Sequence, residues 1–236
     1  MEASCTIASR NSVLPLQQSA IGSSASILDL RKLLAERFPQ PPVVPQARIA
    51  TGLATFDDAI GGGLPKGAIT ELTSPNVSAG TARLICHLLQ TAHRERRFIA
   101  LVDGRDSFDP QPLGNARLRN LLWVRCTKAF EAVKAADLLL RDGNFPLVVL
   151  DLVLNAPEEL RKIPQTSWYR LQRLAEPTPT AFLVLTRRSM ISSAQLKLVL
   201  ENSWTLRDLQ QDGNASWLKV RVQRVQGGRQ EIAGAG

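Results

Sequence analysis

Residues 51–72 read Thr-Gly-Leu-Ala-Thr-Phe-Asp-Asp-Ala-Ile-Gly-Gly-Gly-Leu-Pro-Lys-Gly-Ala-Ile-Thr-Glu-Leu and run through Thr73 into Ser-Pro-Asn-Val-Ser-Ala-Gly-Thr at 74–81. The close of the first stretch, residues 68–72, is a short strand candidate, and the second is a loop of small and polar residues. Behind it Leu84, Ile85, Leu88, Leu89 and Ala92 recur at helical spacing, which predicts a helix over 81–94. A strand, a loop and a helix in that order open an α/β unit.

The same alternation continues outward. Residues 98–102, 121–124, 147–150 and 181–185 are apolar strand candidates, and the run Leu147-Val148-Val149-Leu150 closes on Asp151 as a central strand covered on both faces should. Between them, Phe130, Val133, Ala136 and Leu140 mark a helix stopped by Gly143-Asn144, and Trp168, Leu171 and Ala175 another before Pro177. The predicted fold class is α/β, a mostly parallel twisted sheet flanked by helices with right-handed crossovers. The end of the chain changes character: 203–209, a turn at Asp212-Gly213-Asn214, and 216–225 predict an antiparallel hairpin on the sheet edge.

Upstream, residues 1 to about 25 carry no periodicity and predict a mobile tail. Ser26 and Asp29 fit a capping box, and Ile27, Leu30, Leu34 and Phe38 share one helical stripe before the proline-rich stretch 39–45. This helix either folds back on its own core or serves as an arm that docks on another protein. The expected organisation is therefore 1–45 as tail, amphipathic helix and linker, 46–229 as the core domain, and 230–236 as a terminal tail.

Composition sets the outer limits. The 236 residues are 44% hydrophobic and 21% charged, which excludes wholesale disorder and fibrous repeats. No apolar run reaches the roughly 20 residues of a membrane helix, and the N-terminus lacks a secretory pattern. Three widely spaced cysteines, Cys5, Cys86 and Cys126, suit neither a disulfide framework nor a CxxC metal site; reduced thiols and a cytoplasmic location are expected. The net charge of +8 points to a polyanionic partner, nucleic acid first and an acidic protein surface second. His87 and His93 stand six positions apart, which is not the spacing of a metal pair, and no Ser-His-Asp or Cys-His arrangement is present.

The stretch at 51–72, with Thr51-Gly52, Asp57, Gly61 to Gly63, Leu64-Pro65, Gly67 and Glu71, resembles the segment of RecA-type recombinases that leads into their ATP-binding loop. The resemblance continues in register over roughly 49–190: 74–81 falls on the phosphate loop, Ala-Leu-Val-Asp-Gly-Arg-Asp-Ser-Phe-Asp-Pro at 100–110 on the next strand and loop, and Leu147 to Asp151 on the second acidic strand end. A working loop reads G-x-x-x-x-G-K-[ST]. Here Ser74, Ala79 and Gly80 stand at its first Gly, second Gly and Lys, and only Thr81 is kept. The resemblance also puts Arg105 where the family has a water-activating Glu, and Thr186-Arg187-Arg188 where it senses the γ-phosphate with Asn-Gln. No cofactor and no ATPase activity are expected. The vestigial loop (Ser74, Ser78, Ala79, Gly80, Thr81) with Asp151 could still hold an anion weakly; the other reading makes Thr81 a helix cap and Asp151 a turn residue kept with the fold.

Within RecA-like proteins, a short chain with an N-terminal helix, no loop lysine and a basic ending (Trp217-Leu218-Lys219-Val220-Arg221-Val222-Gln223-Arg224, then Arg229) resembles ImuA. That resemblance implies a non-catalytic adaptor in the SOS response and mutagenic translesion synthesis. Its implied partners are RecA, an ImuB-type Y-family polymerase-like protein and an error-prone DNA polymerase III alpha-type subunit, with DNA an open further partner and no membrane. The family also implies that the helix carrying Ile27, Leu30, Leu34 and Phe38 docks on RecA or a second copy of this chain. Arg187, Arg188, Lys219, Arg221, Arg224 and Arg229 are the candidate DNA or partner contacts; the strand at 218–225 is equally an edge guarded by charge. Two rival readings are a SulA-like cell-division inhibitor and a small RecA- or KaiC-like DNA-dependent ATPase.

Overall fold

A computed structural model describes residues 32, 37, 47–76, 80–202 and 218–225. The chain divides into two compact units, Met1–Pro45 and Gln46–Gly236. In the first, Lys32 and Arg37 are helical and exposed, while Ile27, Leu30, Leu34 and Phe38 lie outside the described residues.

The second unit opens with a two-stranded antiparallel ribbon, β1 (Arg48–Ile49) on β2 (Leu64–Pro65), bracketing α1 (Ala54–Ala59). The carboxylate of Asp57 accepts hydrogen bonds from the Thr51 and Gly52 amides and the Thr51 hydroxyl, closing this entry loop on itself. Gly63 (φ 121) lies so close to the ribbon that an added Cβ would sit 2.3 Å from the Ile49 carbonyl oxygen. The glycines and Asp of this stretch are thus explained by backbone geometry.

Then follow β3 (Ala68–Thr73), α2 (Thr81–Arg94), β4 (Ile99–Asp103), α3 (Gly114–Leu118), β5 (Leu121–Arg125), α4 (Ala129–Asp142), β6 (Leu147–Asp151), α5 (Pro157–Arg161), α6 (Gln165–Ala175), β7 (Ala181–Thr186), β8 (Leu196–Leu200) and β9 (Val220–Val225). The strands form one sheet in the order β5-β4-β6-β7-β3-β8-β9, parallel except for β9, which runs antiparallel to β8. Strand side chains alternate between two cores. Leu72, Leu101, Val149 and Leu183 pack with Phe56 and with Leu84 and Leu88 of α2. Ile69, Val102, Leu150 and Val184 pack with Ala136 and Leu140 of α4 and Trp168 and Leu171 of α6. A sheet buried on both faces needs the near-continuous apolar strands seen at β4, β6 and β7.

The edge hairpin differs from the expectation. The partner of β9 is Leu196–Leu200, and 203–209 lies outside the described residues. Leu196, Leu198 and Leu200 alternate with the less buried Lys197 and Val199, the period-2 pattern of a strand with one buried face. Because β8 also pairs in parallel with β3, it converts the parallel sheet into the antiparallel edge. Among the described residues no helix is long and apolar enough to cross a membrane.

Candidate functional site

Because β3, β6 and β7 are parallel, their carboxyl ends open on one rim, and the chain leaves β3 there in the loop 74–80. In open α/β sheets this rim, where neighbouring connections diverge, is where ligands are held. The Ser74 amide donates to the Thr186 carbonyl across the β3–β7 seam, and its hydroxyl donates to the Asn76 carbonyl. Ser78 and Ala79 lie outside the described residues. Gly80 is the N-cap of α2 with φ 100, in the left-handed region, and the buried Thr81 begins the helix.

That conformation decides what position 80 can hold. A side chain with a Cβ is strained there by about 1–2 kcal/mol. The expected result for Gly80→Lys is therefore a loss of stability of this order, seen as a lower thermal midpoint, with no gain in triphosphate affinity by fluorescent-nucleotide titration. A variant that gained both stability and nucleotide affinity would show that the backbone reverts to a phosphate-gripping loop.

Two aspartates lie in register at the ends of adjacent strands, Asp103 on β4 and Asp151 on β6. Asp103 is buried and spent on its own loop, accepting hydrogen bonds from the amides of Arg105 (3.2 Å), Ser107 (2.8 Å) and Phe108 (2.8 Å). Asp151 accepts one such bond, from the Val153 amide at 3.0 Å. Burial, with a smaller push from the Asp103 carboxylate, raises its pKa to about 6 against the opposing pull of that amide. Arg105 donates to the Thr127 carbonyl at 3.1 Å and lies 3.9 Å from Glu159.

A magnesium nucleoside triphosphate fits these residues poorly. Position 80 carries no cation, burial makes the ionised form of Asp151 costlier than usual, and Asp103 is engaged by three amides of its own loop. No His, Cys, Asp or Glu group suited to a metal occurs among the described residues.

The neighbouring part of the rim, beside β7, is better built. Arg187 and Arg188, just past β7, line a cleft of about 660 Å³ together with Arg161 at the end of α5, Leu160, Ile163 and Met190. The segment that carries them is anchored by Glu71, which is fully buried mid-strand in β3. Its carboxylate accepts hydrogen bonds from the amides of Met190 (2.6 Å) and Ile191 (3.0 Å) and the Ser189 hydroxyl (2.9 Å), and pairs with Lys197 at 3.1 Å. A charge in the centre of an apolar strand is a signal that partners exist, but Arg161 lies on a helix for which the sequence offered no clear pattern.

The described C-terminal cations do not join this cleft. Lys219, Arg221 and Arg224 are exposed on or beside β9, three strands from β7. Arg221 is committed to Glu201, and Arg224 stands opposite Lys197. Arg229 lies outside the described residues. Trp123 packs edge-on against Phe108 and under the Arg125 guanidinium, a structural role.

The RecA N-terminal domain family matches residues 40–160 of this chain. Among curated proteins, protein RecA of Clavibacter michiganensis subsp. michiganensis is 36% identical over 113 residues, 46% of this chain and 31% of that protein. Protein RecA of Nostoc sp. is 34% identical over 108 residues (44% and 30%), and that of Brucella anthropi 34% over 116 (48% and 32%). The matched stretch spans about a third of the length of these relatives.

Proposed function

The chain belongs to the RecA N-terminal domain family, and on that premise we propose that it is a non-catalytic member, an adaptor in damage-induced translesion DNA synthesis of the ImuA type. It binds RecA and an ImuB-type Y-family polymerase-like protein, and through them serves an error-prone DNA polymerase III alpha-type subunit. The observation that carries this reading is Gly80: where phosphoryl chemistry needs an ammonium group on the terminal phosphates, the backbone takes a left-handed turn with no side chain. Arg105 supports it: the guanidinium donates to the Thr127 carbonyl, and an arginine cannot act as the water-orienting carboxylate.

Two measurements test the proposal. ATP hydrolysis with single-stranded DNA present should equal the protein-free background under conditions in which RecA turns over; turnover abolished by Asp151→Asn would overturn the non-catalytic reading. Affinity purification from DNA-damaged cells should bring down RecA or polymerase subunits. Recovery of a tubulin-like septation protein in their place would favour the cell-division inhibitor.

A further inference from the structure

We infer that the arginine cleft between α5 and the segment after β7 is a docking site for an acidic peptide segment of a partner protein, one with a bulky aliphatic residue between carboxylates. The inference rests on the adaptor reading and supplies it with a surface. Arg161, Arg187 and Arg188 approach the cleft from two different elements, no acidic residue lines it among the described residues, and none of the three guanidinium groups has a hydrogen bond or ion pair to a described residue. Three unneutralised guanidinium groups around one cavity favour carboxylates, which each can grip through two parallel N–H donors.

The rest of the lining selects a peptide over a nucleic acid. Among the described residues no aromatic side chain faces the cleft, so bases would find no stacking platform in them. Leu160, Ile163 and Met190 offer an apolar wall, and methionine adapts its shape to varied aliphatic partners. The cavity, about 660 Å³, suits one or two inserted side chains and not an extended phosphodiester track. Lys219, Arg221 and Arg224 do not prolong it, since they lie on or beside β9.

The cleft is also held rigid before anything binds. Glu71 fixes the Met190 and Ile191 amides, and the Gln165 side-chain amide donates to the Met190 carbonyl at 2.9 Å. On the opposite wall, the buried Asn155 amide donates to the Gly104 carbonyl at 2.8 Å and to Glu159 at 3.2 Å. Walls fixed in advance lower the ordering cost of binding a flexible segment.

The test uses the full chain and a fluorescein-labelled short peptide in which a leucine pair is flanked on both sides by aspartates, read by anisotropy. Saturable binding is expected, weakened roughly tenfold by Arg161→Glu and again by Arg187→Glu with Arg188→Glu. A peptide with serines in place of the leucines should bind severalfold more weakly, as should the original peptide to Met190→Ser. Unchanged thermal midpoints of the arginine variants, whose side chains are exposed, exclude unfolding as the cause. No binding, binding indifferent to the arginines or to the leucines, or displacement of the peptide by oligothymidylate or ATP at lower concentration than by unlabelled peptide would each overturn the inference. ATP turnover in the same preparation would sink the adaptor reading whatever the peptide does; peptide failure without turnover sinks the cleft alone.

Discussion

Replacing Glu71 with alanine should destabilise the core domain by roughly 3–5 kcal/mol, the cost of removing one partner from a buried, hydrogen-bonded charge pair. At roughly 2–4 °C per kcal/mol for a domain of this size, the thermal midpoint falls far enough to read easily. Four donors lose their acceptor at once: two backbone amides, a hydroxyl and the Lys197 ammonium, whose side chain is only 13% exposed. Two further results separate this cause from mere cavity formation. Glu71→Gln keeps an oxygen for the Met190 and Ile191 amides and should cost less, about 1–3 kcal/mol. Glu71→Leu combined with Lys197→Leu removes both charges and should recover part of the loss, because a buried pair can be replaced by apolar volume more cheaply than it can be broken. Amide hydrogen exchange at Met190 and Ile191 should accelerate in every one of these variants. Equal destabilisation by Gln and Ala, with unchanged exchange at those two amides, would show that the tether is not what holds the segment.

That tether also shows where reading the sequence reaches its limit. Glu71 was read only as part of the RecA-like stretch; its acceptor role joins residues up to 120 positions apart, and nothing local encodes such a pairing. The parallel strands were legible for the opposite reason. A strand buried on both faces must be apolar at successive positions, as in Leu147–Leu150, and the αL cap at Gly143 ends α4 where a glycine was expected. Leu196–Leu200 escaped notice because a five-residue alternation after a short loop is weak evidence by itself, while 203–225 carried a clear turn signal. The phosphate loop was legible as a sequence of losses. Only the backbone revealed that Gly80 occupies a left-handed conformation in which a lysine would be strained. The cleft was half visible: Arg187 and Arg188 were recognisable at a strand end, but Arg161 arrives from α5, and the sheet brings the two together.

Asp151 gives the second large effect, and its sign is unusual for a carboxylate. Its pKa in the folded protein is about 6, against an ordinary value of 3.8, because burial penalises the charge and Asp103 sits beside it. Between those two pH values the folded chain binds a proton that the unfolded chain has released, so stability falls as pH rises from 3.8 to 6 and then levels off with the penalty complete. At about 1.36 kcal/mol per pH unit the full shift corresponds to about 3 kcal/mol, and solvent at this half-buried group trims the realised value to roughly 1–3 kcal/mol. Asp151→Asn keeps an oxygen for the Val153 amide and removes the charge. It should therefore raise the thermal midpoint at pH 7.5 and make little difference near pH 4, so the wild-type and variant profiles converge on acidification. In an enzyme that uses this carboxylate on magnesium, the ionised form is the working form and substitution abolishes turnover. Here the fold pushes the group toward neutrality and supplies no metal-binding group among the described residues to favour the charge. A stabilised, convergent variant marks Asp151 as an inherited strand-end residue whose charge the fold no longer needs. An Asn variant that is less stable at pH 7.5 would mean that the ionised carboxylate is held by a favourable partner, and would reopen the rim to cation chemistry.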